Sequence, residues 1–329
     1  MMDGPGLARA TLMLILGALS LAGPAAAATT LKFSHYGTLQ DTVHAAAERF
    51  QDLVEAGTGG EITIEIHPNN ELGNAPTVLQ GIRLGTIDIG IVGNPYFTSF
   101  EPEMNVIDLP FLFDGPTHAY EVFDGEIGRA ILDKLEQHGM KGLALWEIGF
   151  RNLTNNVRPI RTPDDVQGLK IRTTPNPAHI KAFELLGANP TPINFAELYM
   201  ALQTGAVDGQ ENPAHHIYAS RLHEVQKHLS LTRHAYTAAP LVMNLAKFNS
   251  LPEEQRNAIM EAALEAARFE REENASLNDE AIARMKEAGV EVVEDPDVAA
   301  FREIIADEVR ADYVAKHGSG MLDQIDALR

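Results

Sequence analysis

The sequence predicts an α/β protein of two doubly wound lobes with a long C-terminal helix lying across both. Three features point to it. Short strands and amphipathic helices open the chain in the order β-α-β-α-β, the pattern of a doubly wound unit with parallel strands. A unit of helix end, glycine, one residue, β-branched residue and aspartate occurs twice, as Leu84-Gly85-Thr86-Ile87-Asp88 and as Thr204-Gly205-Ala206-Val207-Asp208. It gives each lobe the same left-handed helix stop ahead of a sheet aliphatic. Beyond Pro252, helical periodicity free of Pro and Gly runs to Ala288. Taken from Leu251, that helix spans ~57 Å, nearly twice the ~30 Å of a small domain, so one lobe cannot contain it.

In chain order, Arg9 precedes an apolar run from Ala10 to Gly23, followed by Pro24 and alanines with Ala26 and Ala28 at small-x-small spacing. This reads as a secretory signal over residues 1–28, its 14-residue run falling short of the ~20 that span a bilayer. Leu31 and Phe33 alternate with polar neighbours in a first strand ending at His35 and Tyr36. Val43 to Val54 carry helical spacing up to Gly57, Ile62, Ile64 and Ile66 alternate in a strand, a helix runs from Ala75 to Leu84, and Ile87 to Val92 form a buried strand. A loop rich in Pro and Phe leads to one helix through Val122 and Leu135 that stops at Gly139, and a strand then ends at Trp146. A strand from Leu169 to Arg172, a helix from Ala178 to Leu186 and a strand through Thr191 and Ile193 follow. Asn194 with Glu197, and Ser250 with Glu253, have the spacing of capping boxes for the next helix and for the long helix. A strand from Val290 to Val293 and a helix begun by Asp295-Pro296 complete the chain. The expected lobes are residues 29–149 with about 238–277, and 150–237 with about 278–329.

The 26 basic residues face 46 acidic ones, a formal charge of −20 that loss of Asp3 and Arg9 with the signal leaves unchanged. Such a chain binds nucleic acid and anionic membranes poorly, and a pocket for an anion must supply its own cations. The absence of cysteine excludes a disulfide framework and thiolate chemistry. No G-x-S-x-G, H-E-x-x-H, G-x-G-x-x-G or Walker loop occurs, so neither an enzyme nor a cofactor is expected, a periplasmic enzyme with an unrecognised site being the outlying alternative. His215-His216 is no metal pair, because adjacent side chains diverge.

Between Trp146 and Pro175, Arg151 and Arg172 each close a short apolar segment, so two strand ends each deliver a guanidinium. The planar fork of donors matches a carboxylate, which suggests an anion receptor; ordinary ion pairing is the other reading. His35, Tyr36, Asn94 and Tyr96 follow predicted strands, where open α/β sheets bind ligands. Trp146, Glu147, His215 and Tyr236 are further candidates.

GFRNLTN at Gly149 to Asn155, P-x-D-x-x-G-x-K-I-R from Pro163 to Arg172, PINFAELYMALQTGAVDGQENP from Pro192 to Pro213, EVQKHLSLTRHAY from Glu224 to Tyr236 and the long helix occur in that order. With the signal, they make the chain resemble the substrate-binding proteins of tripartite ATP-independent periplasmic (TRAP) transporters, DctP type. The resemblance implies a periplasmic binding protein fold of type II kind, two lobes closing on an organic anion in the cleft between them. It also implies a monomer that hands its ligand to the small and large membrane subunits of a permease. It places the substrate carboxylate on Arg172, a second ligand arginine at Arg151, an aromatic wall at Phe195 and an amide at Asn212. Sugar-acid binders of the family often carry a polar residue after Trp-Glu; Ile148 stands there, which weakens the sugar-acid reading if that position faces the pocket. A sugar acid or 2-hydroxy or 2-oxo acid is the leading ligand class, and a C4-dicarboxylate such as succinate or malate the rival.

Overall fold

The computed structural model describes Met1 and residues 28–329; the expected secretory signal falls almost wholly outside them. β1 (Thr29–Ser34) is parallel to β2 (Ile62–His67) on one side and to β3 (Ile89–Ile91) on the other. Its inward Leu31 and Phe33 are fully buried against α1 (Thr42–Gly57), while α2 (Ala75–Leu84) covers β3. The predicted single helix through Val122 and Leu135 is instead α3 (Pro116–Asp124), α4 (Glu126–Asp133) and a 3-10 turn. The extended backbone of Gly125 divides it.

The largest departure from the sequence reading is β4, which does not end at Trp146 but runs over Met140–Asn155. It pairs antiparallel along its length with the later 17-residue strand β8 (His228–Asn244). Period-two alternation fails to reveal either strand because both faces are buried and three register shifts, one at Glu147/Gly149, change which side each residue faces. Arg151 therefore lies within a strand, not at its end. β5 (Lys170–Thr173), α5 (Pro177–Leu185), β6 (Asn189–Pro192), α6 (Phe195–Gln203), β7 (Gly209–Asn212) and α7 (Ala214–Ala219) form the second α/β unit. With β9 (Glu291–Val293) beside β8, the strands make one mixed sheet, β2-β1-β3-β8-β4-β7-β5-β6, in which the long antiparallel pair joins a parallel set at each end.

The repeated glycine-aspartate unit has the same role in both sets. Gly85 and Gly205 are left-handed at φ 78° and 73°. Asp88 accepts the Lys32 backbone N–H at 2.9 Å, tying it to β1, and Asp208 accepts that of Lys170 at 2.8 Å, tying it to β5.

After α8 (Leu245–Ser250), α9 (Glu253–Glu287) is unbroken for 35 residues, about 52 Å at 1.5 Å per residue. Its first half buries Ile259, Ala263, Ala266 and Ala267 against α1 and β1, and its last turns bury Ile282 and Met285 in a separate cluster with Leu198 and Ile217. Between them Glu270 accepts the Glu147 backbone N–H and Arg271 donates to the Leu145 carbonyl, so the helix grips the middle of β4. α10 (Val298–His317) and α11 (Gly320–Asp326) close the fold.

Neither predicted capping box forms. Asn194 makes no side-chain cap, and the Phe195 N–H at the start of α6 donates to the Tyr96 hydroxyl at 3.1 Å, a partner from the first parallel set. Ser250 instead donates to the Lys247 carbonyl, and α9 opens behind Pro252.

Candidate functional site

A cavity lies where the carboxyl ends of the two parallel sets meet, the position at which open α/β sheets bind ligands. Ser34, His35 and Tyr36 reach it from the end of β1 and Tyr96 from the turn after β3; Arg172 and Thr174 come from β5, Asn212 from β7 and Phe195 from the first turn of α6. Ile148 and Arg151 of β4 and Thr237 of β8 complete the wall.

Arg172 is 1% exposed and makes no ion pair among the described residues. Its Nε donates to the Ile193 carbonyl at 2.8 Å, and Nη2 stands 3.5 Å from the Tyr96 hydroxyl. No partner for Nη1 is found among the described residues. Burial pushes the guanidinium below its ordinary pKa, offset in part by Tyr96 and the more distant Glu211. A buried charge of this kind is costly until an anion joins it. The geometry thus holds one edge of the fork in place and leaves the other without a partner among the described residues.

Arg151 is equally buried but already compensated. Glu211 on β7, 0% exposed, takes its Nε and Nη2, Asn212 Oδ1 accepts Nη2 at 3.0 Å, and Thr237 accepts Nη1 at 3.3 Å. Burial alone would raise the Glu211 carboxyl, yet Arg151 beside it and His234, 3.5 Å away, hold it well below the usual range. Arg151 therefore sits on the cavity wall while satisfying the ion-pairing reading. Asn212 shares this network, its amide donating to Gln210.

Phe195 lies nearly parallel to His216, with ring centroids 4.7 Å apart, and meets Tyr36 edge-on. His216 Nδ1 is 2.6 Å from Asp41 at the head of α1, and Thr38 donates to the Ala219 carbonyl. With the Tyr96 hydroxyl these contacts join the two sides over the cavity.

Five candidates lie elsewhere. Asn94 turns into the core, donating to Asp108 and the Met104 carbonyl. Trp146 is fully buried beside Phe33 and Phe50, its indole N–H on the Ala263 carbonyl. Glu147 faces the other side of the sheet, where Tyr120 donates to it, and Tyr236 is buried among Phe113, Phe123 and Phe150. His215 points toward α9, so of the two adjacent histidines it is His216 that lines the cavity. Sequence reasoning passed over His216, Thr174 and Thr237, whose positions carry no motif beyond neighbouring a nominated residue or β-strand. Among the described residues no group of His, Asp and Glu could hold a metal ion, and no helix is long and apolar enough to cross a membrane.

Residues 33–316 match the family described as bacterial extracellular solute-binding protein, family 7 (DctP). The chain is 40% identical over 319 residues to the 2,3-diketo-L-gulonate-binding periplasmic protein YiaO of Escherichia coli, covering 96% of this chain and 97% of that one. Among solved structures, a TRAP periplasmic solute-binding protein of Bordetella bronchispeptica, with density assigned to pantoate, superposes with a TM-score of 0.89 at 38% identity, over 92% of this chain and 99% of that one. A TRAP periplasmic solute-binding protein of Polaromonas bound to D-erythronate gives 0.88 at 36% identity, over 91% and 98%.

Proposed function

Because the chain belongs to the bacterial extracellular solute-binding proteins of family 7, the DctP-type receptors of TRAP transporters, we propose that it captures a small organic carboxylate on Arg172 and delivers it to the small and large membrane subunits of a permease. The family consists of solute-binding transport proteins, not enzymes. The ligand belongs to the sugar-acid or 2-hydroxy or 2-oxo acid class, which takes in what the three relatives hold. One observation carries this reading: a fully buried guanidinium with no acidic partner among the described residues, on the wall of a cavity at the strand ends. The secretory signal expected over residues 1–28 supports a periplasmic location. The lobes, 29–149 with about 238–277 and 150–237 with about 278–329, close over the ligand through Tyr96 and the Asp41–His216 pair.

A C4-dicarboxylate is the second reading, and Arg151 favours it as a second cation on the wall; Glu211 weighs against it by compensating that charge. Calorimetry of the mature chain against organic acids tests the proposal. Arg172→Ala should abolish the binding that wild type shows, and unchanged affinity in that variant would overturn the assignment. A ligand at a hundredfold excess over its Kd should stabilise wild type by about 2.7 kcal/mol, with no turnover of the acid.

A further inference from the structure

The loop rich in Pro and Phe buries one carboxyl that is bonded to both parallel sets. Asp108 ends the 3-10 segment Pro102–Asp108 and is 0% exposed, and no ion pair among the described residues includes it. Its Oδ2 accepts two amides, Asn94 Nδ2 at 2.7 Å and Asn176 Nδ2 at 2.9 Å. Both asparagines are fully buried, and backbone partners fix which way each amide points. Asn94 Nδ2 also donates to the Met104 carbonyl at 2.8 Å, and Asn176 Oδ1 accepts the Ala178 and His179 N–H groups at 2.8 and 3.1 Å. One oxygen is therefore shared between the turn after β3 and the segment after β5.

Each asparagine leads to the cavity wall. Asn94 opens the 3-10 turn Asn94–Tyr96, closed by the Tyr96 N–H on the Gly93 carbonyl at 3.1 Å. From that turn the Tyr96 hydroxyl stands 3.5 Å from Arg172 Nη2 and 3.1 Å from the Phe195 nitrogen. Asn176 follows Arg172 by four residues and caps α5, and the His179 whose N–H it accepts meets Thr174 of the cavity wall, Nδ1 to Oγ1, at 2.9 Å. Burial raises the Asp108 carboxyl to about 8 against the Asn94 hydrogen bond and the Arg151 charge, with Glu211 adding to the rise. At neutral pH it holds a proton. Because Oδ2 takes both amides, that proton belongs on Oδ1, which has no partner among the described residues. A carboxamide at this position keeps the shape and the accepting oxygen.

We propose that Asp108 is a positioning residue for ligand capture: by holding the turn that carries Tyr96 and the segment that follows Arg172 on a single oxygen, it fixes the Tyr96 hydroxyl against the guanidinium. Asp108 does not line the cavity and acts through Tyr96. A fork aimed in advance loses less freedom when a carboxylate arrives, which raises affinity without a new contact. This rests on the carboxylate-receptor reading above.

Calorimetry with glycerate, gluconate, pyruvate and succinate tests it. The acid that wild type binds most tightly is carried through Asp108→Ala, Asp108→Asn, Tyr96→Phe, Arg172→Ala and the double variant of Asp108→Ala with Tyr96→Phe. Asp108→Ala should weaken binding on the order of tenfold, and Asp108→Asn should stay within about threefold of wild type. Tyr96→Phe should cost about fivefold in the wild-type background and nothing in the Asp108→Ala background, a coupling that a merely structural role would not produce. If Asp108→Ala does not fold, Asn176→Ser, which keeps a helix cap but is too short to reach Asp108, takes its place in the cycle. Wild-type affinity in the variant used, an Asp108→Asn variant as weak as Asp108→Ala, or a Tyr96→Phe cost equal in both backgrounds overturns the inference while the receptor reading stands, provided binding still needs Arg172. If none of the four acids binds, or Arg172→Ala binds as well as wild type, the receptor reading falls and this inference with it.

Discussion

Arg151 and Arg172 line the same cavity and are equally hidden from solvent, yet among the described residues one has a carboxylate partner and the other has none. Arg151 lies on β4 one residue before the stretch that pairs with β7, close enough for Glu211 to take two of its nitrogens. Arg172 lies on β5, where a backbone carbonyl and the Tyr96 hydroxyl are its only hydrogen-bond partners among the described residues. The first arrangement ties β4 to β7 through an ion pair; the second leaves a desolvated charge uncompensated, which is the basis on which we propose Arg172 as the carboxylate contact. A buried arginine is thus no evidence of a ligand site until its carboxylates have been counted.

The contrast predicts crossed effects. Arg172→Ala should weaken binding of a carboxylate ligand by roughly two to four orders of magnitude, the loss of two charge-assisted hydrogen bonds. The same variant should melt, without ligand, no lower than wild type, because the unpaired charge it removes is itself costly. A large drop in its ligand-free melting temperature would show Arg172 to be structural after all.

Glu211→Gln should do the reverse and destabilise the ligand-free protein by about 3 kcal/mol at pH 7 by stripping Arg151 of its partner. The Glu211 carboxyl is held below its unfolded value, so its contribution is present above the ordinary carboxylate range and is lost as pH falls through the folded value. Urea melts at pH 7 and near pH 3 should therefore show the gap between wild type and variant narrowing in acid. A gap independent of pH would break the assigned pairing.

Arg172→Lys keeps a charge but not the fork, and should lose roughly tenfold to a hundredfold in affinity. Tyr96→Phe removes the hydroxyl shared by Arg172 and the Phe195 N–H, and should cost about 1 kcal/mol of binding, read by the same titration. If it costs nothing, the contact over the cavity does not assist closure.

Much of this was legible in the chain. The Gly85 and Gly205 stops, the aspartates after them and the uninterrupted register of α9 depend on neighbours near in sequence, where backbone conformation and side-chain period decide the outcome. Arg172 was legible too, as the last polar position of an alternating strand. The extent of β4 and β8 was not, because pairing between segments about ninety residues apart, through three register shifts, erases the alternation that marks a strand. Nor was the setting of Trp146, Tyr236 and Asn94, whose residue types suit a pocket as well as a core.

What the amino-acid order determined by itself is the short parallel strands with the helices between them, the long α9 and the Arg172 guanidinium near the end of β5, all consequences of short-range sterics and periodicity. Which guanidinium is free was decided only in three dimensions. Glu211 is sixty residues from Arg151 and thirty-nine from Arg172, and strand order, not sequence distance, puts its carboxylate on the former. The unpartnered Ser34 Oγ and His35 Nδ1 are likewise a product of the fold, since a missing hydrogen bond becomes visible only once every described neighbour has been placed.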